Sequence, residues 1–391
     1  MNNQRKNIIA SLLLVECVLF SCNQPAQSQY INHWGSTQGT YYQIEYESQD
    51  SVSYENEIIQ LLQDFSASLS IYNPTSLISR INQNDTTAIV DNYFRTVFNK
   101  AVEVNKASDG YFDITIAPIV NLWGFGFTGN IPEISPKKID SLLQYVGMDK
   151  IRIEGNRVVK DLPCVMLDMN AIAKGYSADV VADFLKSKGL HNYLVNIGGE
   201  IVAQGVNKNG EIWRTGIEKP IDGAAYGEAI EVLLHLKNRA IATSGNNRRF
   251  FEINGMKFAH TINVNTGYPV RHNLLSATIV ADDCMTADAW ATACLASGLG
   301  KSIQLLKRHP ELEGLLIYSD KKGNFKMYAT KGMKAIIIGR GKTSIILGVF
   351  SVLVIFGGIL YIKASARGMR RLGKSGQNAQ QPTSGLAQRR Q

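Results

Sequence analysis

Apolar residues recur along this chain with two different periods. Ile58, Leu61, Leu62, Phe65 and Leu69 fall three and four residues apart, as do Phe94, Val97, Phe98, Ala101 and Val104. That spacing stacks side chains on one helical face, so each run predicts an amphipathic helix against a core. Residues 41–46 read as a strand, and so does Val165-Met166-Leu167. The latter leads through a tight loop into a helix over about residues 176–188, stopped by Gly189. Leu194-Val195-Asn196-Ile197 reads as a strand ending in Gly198-Gly199. Residues 315–318 and 325–328 flank Asp320-Lys321-Lys322-Gly323, the pattern of a hairpin. Helices and strands mix without regular alternation, which favours an α+β fold over a doubly wound parallel sheet.

The two ends depart from this pattern. Residues 8–20 form an apolar run with one charged interruption at Glu16 and follow Asn2, Asn3, Arg5 and Lys6. The run is too short to span a bilayer and fits the apolar core of an export signal. It closes on Leu19-Phe20-Ser21-Cys22, which resembles the bacterial lipoprotein cleavage box. Residues 1–21 therefore read as a signal and Cys22 as the lipidated residue; an ordinary signal cut slightly later is the alternative. Residues 344–362 are apolar and uncharged, long enough for a transmembrane helix, with a buried strand plus helix as the alternative. Lys363, Arg367, Arg370, Arg371 and Lys374 follow, the flank expected on the cytoplasmic side. The expectation is a folded domain over 22–342 on the periplasmic side of a bacterial inner membrane. A basic, disordered tail over 363–391 would lie inside.

Charge then loses its apparent meaning. The formal net charge is +8, but residues 343–391 carry seven Lys or Arg and no acid. Arg5, Lys6 and Glu16 add one more, so residues 22–342 are formally neutral. No basic arm interleaved with aromatics remains to argue for nucleic-acid binding. Of the five cysteines, Cys17 and Cys22 belong to the signal and anchor, leaving Cys164, Cys284 and Cys294. An odd number leaves at least one thiol free, and no zinc spacing is present.

The chemistry concentrates in a few segments. In Ala287-Asp288-Ala289-Trp290-Ala291-Thr292, an alanine-rich helical run, Asp288 and Thr292 lie four apart and share a face. Two hard oxygens at that spacing suit magnesium, which takes few protein ligands and leaves room for phosphates. The plainer reading is a carboxylate near a helix start offsetting its dipole. In residues 167–176 a strand delivers Asp168, small residues follow, and Lys174 sits at a helix entry, where an anion is favoured. Thr243-Ser244-Gly245-Asn246 reads as a turn rich in hydrogen-bonding groups, with Arg248 and Arg249 after it. His260 ends an apolar run and enters a loop punctuated by Asn, Gly and Pro, where it could take a proton or merely cap a strand. Residues 108–126 set aromatics beside glycines, either a slot for a planar ring or a core turn.

Together these segments resemble the ApbE-type FAD:protein FMN transferases, often exported lipoproteins. The resemblance runs from about residue 35 to 298. It includes Gln38-Gly39-Thr40, Ser70-Ile71-Tyr72, Gly110-Tyr111-Phe112-Asp113, the run from Asp168 to Gly175, Asn196-Ile197-Gly198-Gly199-Glu200, Thr243-Ser244-Gly245, the run from His260 to Gly267, and the Ala287 to Thr292 run. The resemblance implies a two-lobed α+β architecture with T-fold-like elements and FAD as substrate in the cleft. It implies Mg2+ on the pyrophosphate, held by Asp288, Thr292 and the Ala171 carbonyl. Asp168 and Lys174 would contact the adenylate portion; Gln38, Tyr72, Tyr111, Phe112, Asp113 and Ile262 would line the rest of the FAD site. His260 would activate a threonine or serine hydroxyl of an acceptor protein, which attacks the flavin-side phosphorus as AMP leaves. Family acceptors are flavin-carrying subunits of membrane redox pumps, of the sodium-translocating NADH:quinone reductase or RNF type. Gln38 stands where the family usually has Met, Asn247 replaces a common aromatic, Val264 a proline, and Asn263 takes a position often held by Asp. Two other functions remain open: an FAD pyrophosphatase with water as acceptor, and a flavin-binding lipoprotein without chemistry.

Overall fold

A computed structural model of the chain describes residues 28–126, 134–221, 229–246, 250–253 and 256–340. The expected signal, Cys22, the expected transmembrane helix at 344–362 and the tail lie outside the described residues. Among the described residues, no helix is long and apolar enough to cross a membrane.

The described chain opens with β1 (Gln29–Thr37) and β2 (Thr40–Ser48), then α1 (Glu55–Leu69), α2 (Leu77–Asn82), α3 (Asn92–Ala107), α4 (Ala117–Leu122) and α5 (Pro136–Leu143). A small hairpin of β3 (Ile151–Glu154) and β4 (Arg157–Lys160) precedes α6 (Asn170–Ser187). Next come β5 (Tyr193–Ile197), β6 (Glu200–Gln204), β7 (Trp213–Glu218), β8 (Ile230–Leu236), β9 (Arg239–Gly245), β10 (Phe250–Ile253), β11 (Met256–Ala259) and β12 (Leu274–Ala281). It closes with α7 (Cys284–Ser297), α8 (Leu299–Arg308), β13 (Glu313–Ser319), β14 (Phe325–Ala329), α9 (Lys331–Ile336) and β15 (Ile337–Arg340).

An eight-stranded sheet in the order β1-β2-β5-β6-β9-β12-β13-β14 is antiparallel at every junction. Its residues alternate between two faces. Ile44, Val195, Ile197, Ala242, Ile279 and Leu316 are packed with the buried faces of α6 and α7. Leu194, Ile201, Ile241, Val280, Leu315 and Ile317 turn the other way, onto Trp213, Val232 and Leu234 of a smaller sheet ordered β15-β8-β7. The central strands are thus covered on both sides, and each fully buried Ile or Leu contributes roughly 1.5–3 kcal/mol.

The periodic stripes pack as expected. Ile58, Leu62, Phe65 and Leu69 are the buried apolar side of α1, and Phe94 to Val104 that of α3. Asp91 caps α3 by accepting from the Phe94 N–H at 2.8 Å. The 315–328 hairpin is β13 and β14, closed through Asp320.

Three local readings differ. The helix expected from about residue 176 starts at Asn170, so the small-residue run 170–175 is helix rather than loop. The strand expected at 165–167 is a single bridge between Met166 and Ile116. The side chain of Asn82 takes the place of a strand partner, donating to the Leu167 carbonyl and accepting its N–H, each at 2.8 Å. The turn expected at Thr243-Ser244-Gly245 is instead the end of β9, paired with β12; Asn247, Arg248 and Arg249 lie outside the described residues.

Candidate active site

Two helices define the centre. α7 is buried nearly all round, as its run of alanines dictates, and α6 packs along it. They meet at Gly175. A Cβ there would fall 2.3 Å from the Cys284 carbonyl oxygen and 2.8 Å from Cβ of Asp288, so only glycine permits the approach. The Gly175 N–H donates to Asp288 Oδ2 at 3.0 Å. In a regular helix that N–H pairs with the carbonyl four residues earlier, which is Ala171. The small residues of this run thus admit a second helix rather than exposing backbone to solvent.

The helix-dipole reading of Asp288 is displaced by its neighbours. Asp283 is the N-cap of α7, accepting from Thr286 N–H at 2.7 Å. Asp179 of α6 takes the N–H groups of Cys284 and Met285, both at 2.8 Å. Burial pushes the Asp179 carboxyl up to about 7, against those two bonds. Asp288 lies a full turn further in and is 3% exposed.

Lys174 connects two buried acids. Its Nζ lies 2.6 Å from Glu200 Oε1 and 3.8 Å from Asp288 Oδ2. Burial works against the ammonium, but Asp288 and Glu200 outweigh it and hold the lysine above its ordinary value. Glu200 is displaced upward, chiefly by burial, with Lys174 opposing the shift. Its Oε2 is buried and has no hydrogen-bond partner. One turn beyond Asp288, the Thr292 hydroxyl lies 2.9 Å from that of Ser244 on β9.

His260 follows β11 directly and turns into its loop as the sequence suggested. The loop is pinned by Val270 N–H to the Thr261 carbonyl at 2.9 Å and by the Trp123 indole N–H to the Gly267 carbonyl at 2.8 Å. The Phe125 ring stands edge-on to His260 at 6.3 Å. Thr261 donates to the Asn246 side chain at 2.8 Å. Asn246 is two residues past Ser244, so a short connection joins the histidine loop to Thr292.

The remaining expected residues fall into distinct settings. Asp168 accepts from Asn170 N–H at 2.9 Å beside the start of α6, and its own N–H reaches the Ile114 carbonyl at 2.7 Å. That bond brings the Tyr111-Phe112-Asp113 run next to Asp168. Asp113 is buried, which raises its pKa, and it accepts from the Thr115 N–H and hydroxyl. Phe112 is packed in the main core, while Tyr111 is half-buried with the Lys301 ammonium 6.0 Å from its ring. Ile262 belongs to a separate cluster with Trp123 and Ile139. Tyr72, between α1 and α2, is 56% exposed. Gln38 sits in the β1–β2 turn with φ 51° and a buried amide nitrogen lacking a partner. The adjoining Thr40 lies beside Gly198 of the β5–β6 turn.

The structure adds Glu200, Ser244, Trp123 and Asp179 to the residues given roles from sequence. Glu200 ends the Asn196-Ile197-Gly198-Gly199-Glu200 run, but central β6 is covered on both faces and alternation cannot assign it a side. Cys164, Cys284 and Cys294 are all free thiols, the last two buried. Asp288, Thr292 and the Ala171 carbonyl are the hard oxygen donors magnesium prefers. Among the described residues, no group of three His, Cys, Asp or Glu gathers to hold a metal.

Antiparallel sheet, packed helices and an oxygen-lined, lysine-balanced centre have a counterpart among known proteins. The chain belongs to the ApbE family, whose model matches residues 38–316. It is 37% identical over 335 residues to the FAD:protein FMN transferase of Vibrio cholerae, spanning 83% of this chain and 96% of that one. To the protein of the same name from Haemophilus influenzae it is 36% identical, spanning 81% and 94%. Among solved structures it resembles the flavin transferase ApbE from Vibrio cholerae, with TM-score 0.71, 33% identity, and coverage of 79% of this chain and 99% of that one. The apo form of Pseudomonas stutzeri flavinyl transferase ApbE gives TM-score 0.72 and 29% identity, over 80% and 98%.

Proposed function

We propose that this protein transfers FMN from FAD to a threonine or serine hydroxyl of an acceptor flavoprotein, releasing AMP. The carrying observation is the buried Asp288 on α7 facing Lys174 on α6, in a chain closely similar to proteins named FAD:protein FMN transferase. Asp288, Thr292 and the Ala171 carbonyl would hold magnesium. Bound there, the ion would draw negative charge off the pyrophosphate. Lys174 adds a fixed positive charge beside it, and Asp168 contacts the adenylate half. Gln38 offers its unpartnered amide, and Tyr72 and Tyr111 their partly exposed rings, to the dinucleotide. Phe112 and Ile262, filled into packing, contribute through their backbone. His260 takes the proton of the acceptor hydroxyl as its oxygen bonds to the flavin-side phosphorus. The bond from that phosphorus to the bridging oxygen breaks, and AMP leaves with the electron pair.

The competing reaction is FAD hydrolysis to FMN and AMP, with water in place of the acceptor hydroxyl; the exposed Tyr72 ring, free to clamp the flavin and restrict water, favours transfer over it. The setting we propose is the periplasmic face of a bacterial inner membrane. Residues 1–21 would be the export signal, Cys22 the lipid anchor and 344–362 a transmembrane helix, next to acceptors such as flavin-carrying subunits of sodium-translocating NADH:quinone reductase or RNF pumps.

The test incubates the protein with FAD, magnesium and a threonine-containing acceptor domain, followed by a denaturing gel under ultraviolet light. Fluorescence on the acceptor is the expected result. Free FMN and AMP without labelled acceptor would replace transfer by hydrolysis, and unchanged FAD would leave only capture.

A further inference from the structure

Glu200 has no part in the chemistry proposed above, yet it sits at the centre of the site. We infer that Glu200 is a positioning residue: it draws the Lys174 ammonium away from Asp288 and so keeps an Asp288 oxygen open to a divalent cation. The inference rests on the metal assignment proposed above.

Its placement is specified by the backbone. Gly198 and Gly199 form the two-residue turn between β5 and β6, with φ of 67° and 109°, and Ile197 pairs with Glu200 across it. The Asn196 side chain accepts the Gly199 N–H at 3.0 Å. A Cβ on Gly198 would fall 2.7 Å from Cγ2 of Thr40, so the turn is also packed from outside. The first residue after it is driven inward, and Glu200 ends 4% exposed.

Burying a carboxylate costs several kcal/mol, and one ion pair seldom offsets that in full. Here a single oxygen is paired, to Lys174 at 2.6 Å, and the other has no partner. Stability alone does not account for such a group. Its effect on Lys174 does. The ammonium is held unequally, 2.6 Å from Glu200 and 3.8 Å from Asp288. A lysine is a compact charge on a flexible stem. Without the Glu200 charge it would close on Asp288 and occupy the place of a metal.

The probe is Mn2+ alone, titrated into the full chain in detergent and followed by the electron paramagnetic resonance of the free ion. The unsubstituted chain binds; Glu200→Gln, nearly equal in shape, binds about tenfold or more weakly. Lys174→Met binds at least as tightly as the unsubstituted chain. The pair Glu200→Gln with Lys174→Met returns to within about threefold of Lys174→Met alone, the signature of coupled sites. Glu200→Asp, which keeps the charge, falls between, and circular dichroism checks that each variant folds. Two results overturn the inference: unchanged affinity in Glu200→Gln, or a double variant as weak as the single one, which would make Glu200 a ligand itself. Absence of Mn2+ binding by the unsubstituted chain sinks it together with the metal assignment. The expected binding pattern without fluorescence on the acceptor leaves it standing and removes only flavin transfer.

Discussion

The acid–lysine centre and the histidine loop are held in place by different means. Asp288 and Lys174 project from two helices pressed together at Gly175 and sealed by the sheet. His260 projects from the end of a short hairpin, and its loop is fixed by an indole hydrogen bond and a small cluster around Ile139 and Ile262. The proposed metal-binding end is therefore set by the core, and the proposed proton-accepting end by loop contacts. Substitutions at the first should abolish chemistry outright. Substitutions around the second should slow it while leaving substrate binding intact.

The largest effect is expected at Asp288. Asp288→Asn keeps the volume and removes the charge, and flavin transfer should fall by about 10³-fold or more, since metal charge stabilisation is worth several kcal/mol. Retained transfer would dissolve the distinction between the two regions. Next comes His260→Ala, expected to lower kcat by about 10²- to 10⁴-fold, the range for general base catalysis, with FAD affinity measured by flavin fluorescence nearly unchanged.

The third prediction sharpens the helix side through pH. Asp179 titrates at about 7 in the folded chain against an ordinary 3.8. An acid raised on folding stabilises fully below its ordinary value, and that contribution is lost as pH climbs through the folded value. Between about pH 4 and 7 the melting temperature of the unsubstituted chain should therefore fall relative to Asp179→Asn, by up to about 1.4 kcal/mol of stability per pH unit. Parallel curves would refute the assignment. The smallest effect is Trp123→Phe, which removes the N–H that serves the Gly267 carbonyl. A cost of about 1–3 kcal/mol in stability is expected, with a lower kcat at unchanged KM for FAD.

The same contrast governs what could be read from the chain. Asp288 and Thr292 were legible because one helix carries both and its period is fixed. The stripes of α1 and α3 were legible for the same reason. The segment at 165–167 was misread because Asn82, distant in sequence, supplies its partner through a side chain. The start of α6 was misread because a run of small residues looks the same whether it lines a loop or receives a neighbouring helix. Ser244 was hidden in a turn-like composition that long-range pairing with β12 makes a strand. Which residues surround the His260 loop followed from the structure alone, since loop contacts leave no periodic trace.

Gly175 carries a practical consequence. Replacing a glycine inside a helix by alanine is a standard route to a more heat-resistant protein, because the unfolded chain loses freedom. At this position the added methyl would act as a wedge, prising the carbonyl of Ala171 and the carboxylate of Asp288 out of register. The close approach of the two helices at the proposed metal site is thus maintained by a side chain that is missing.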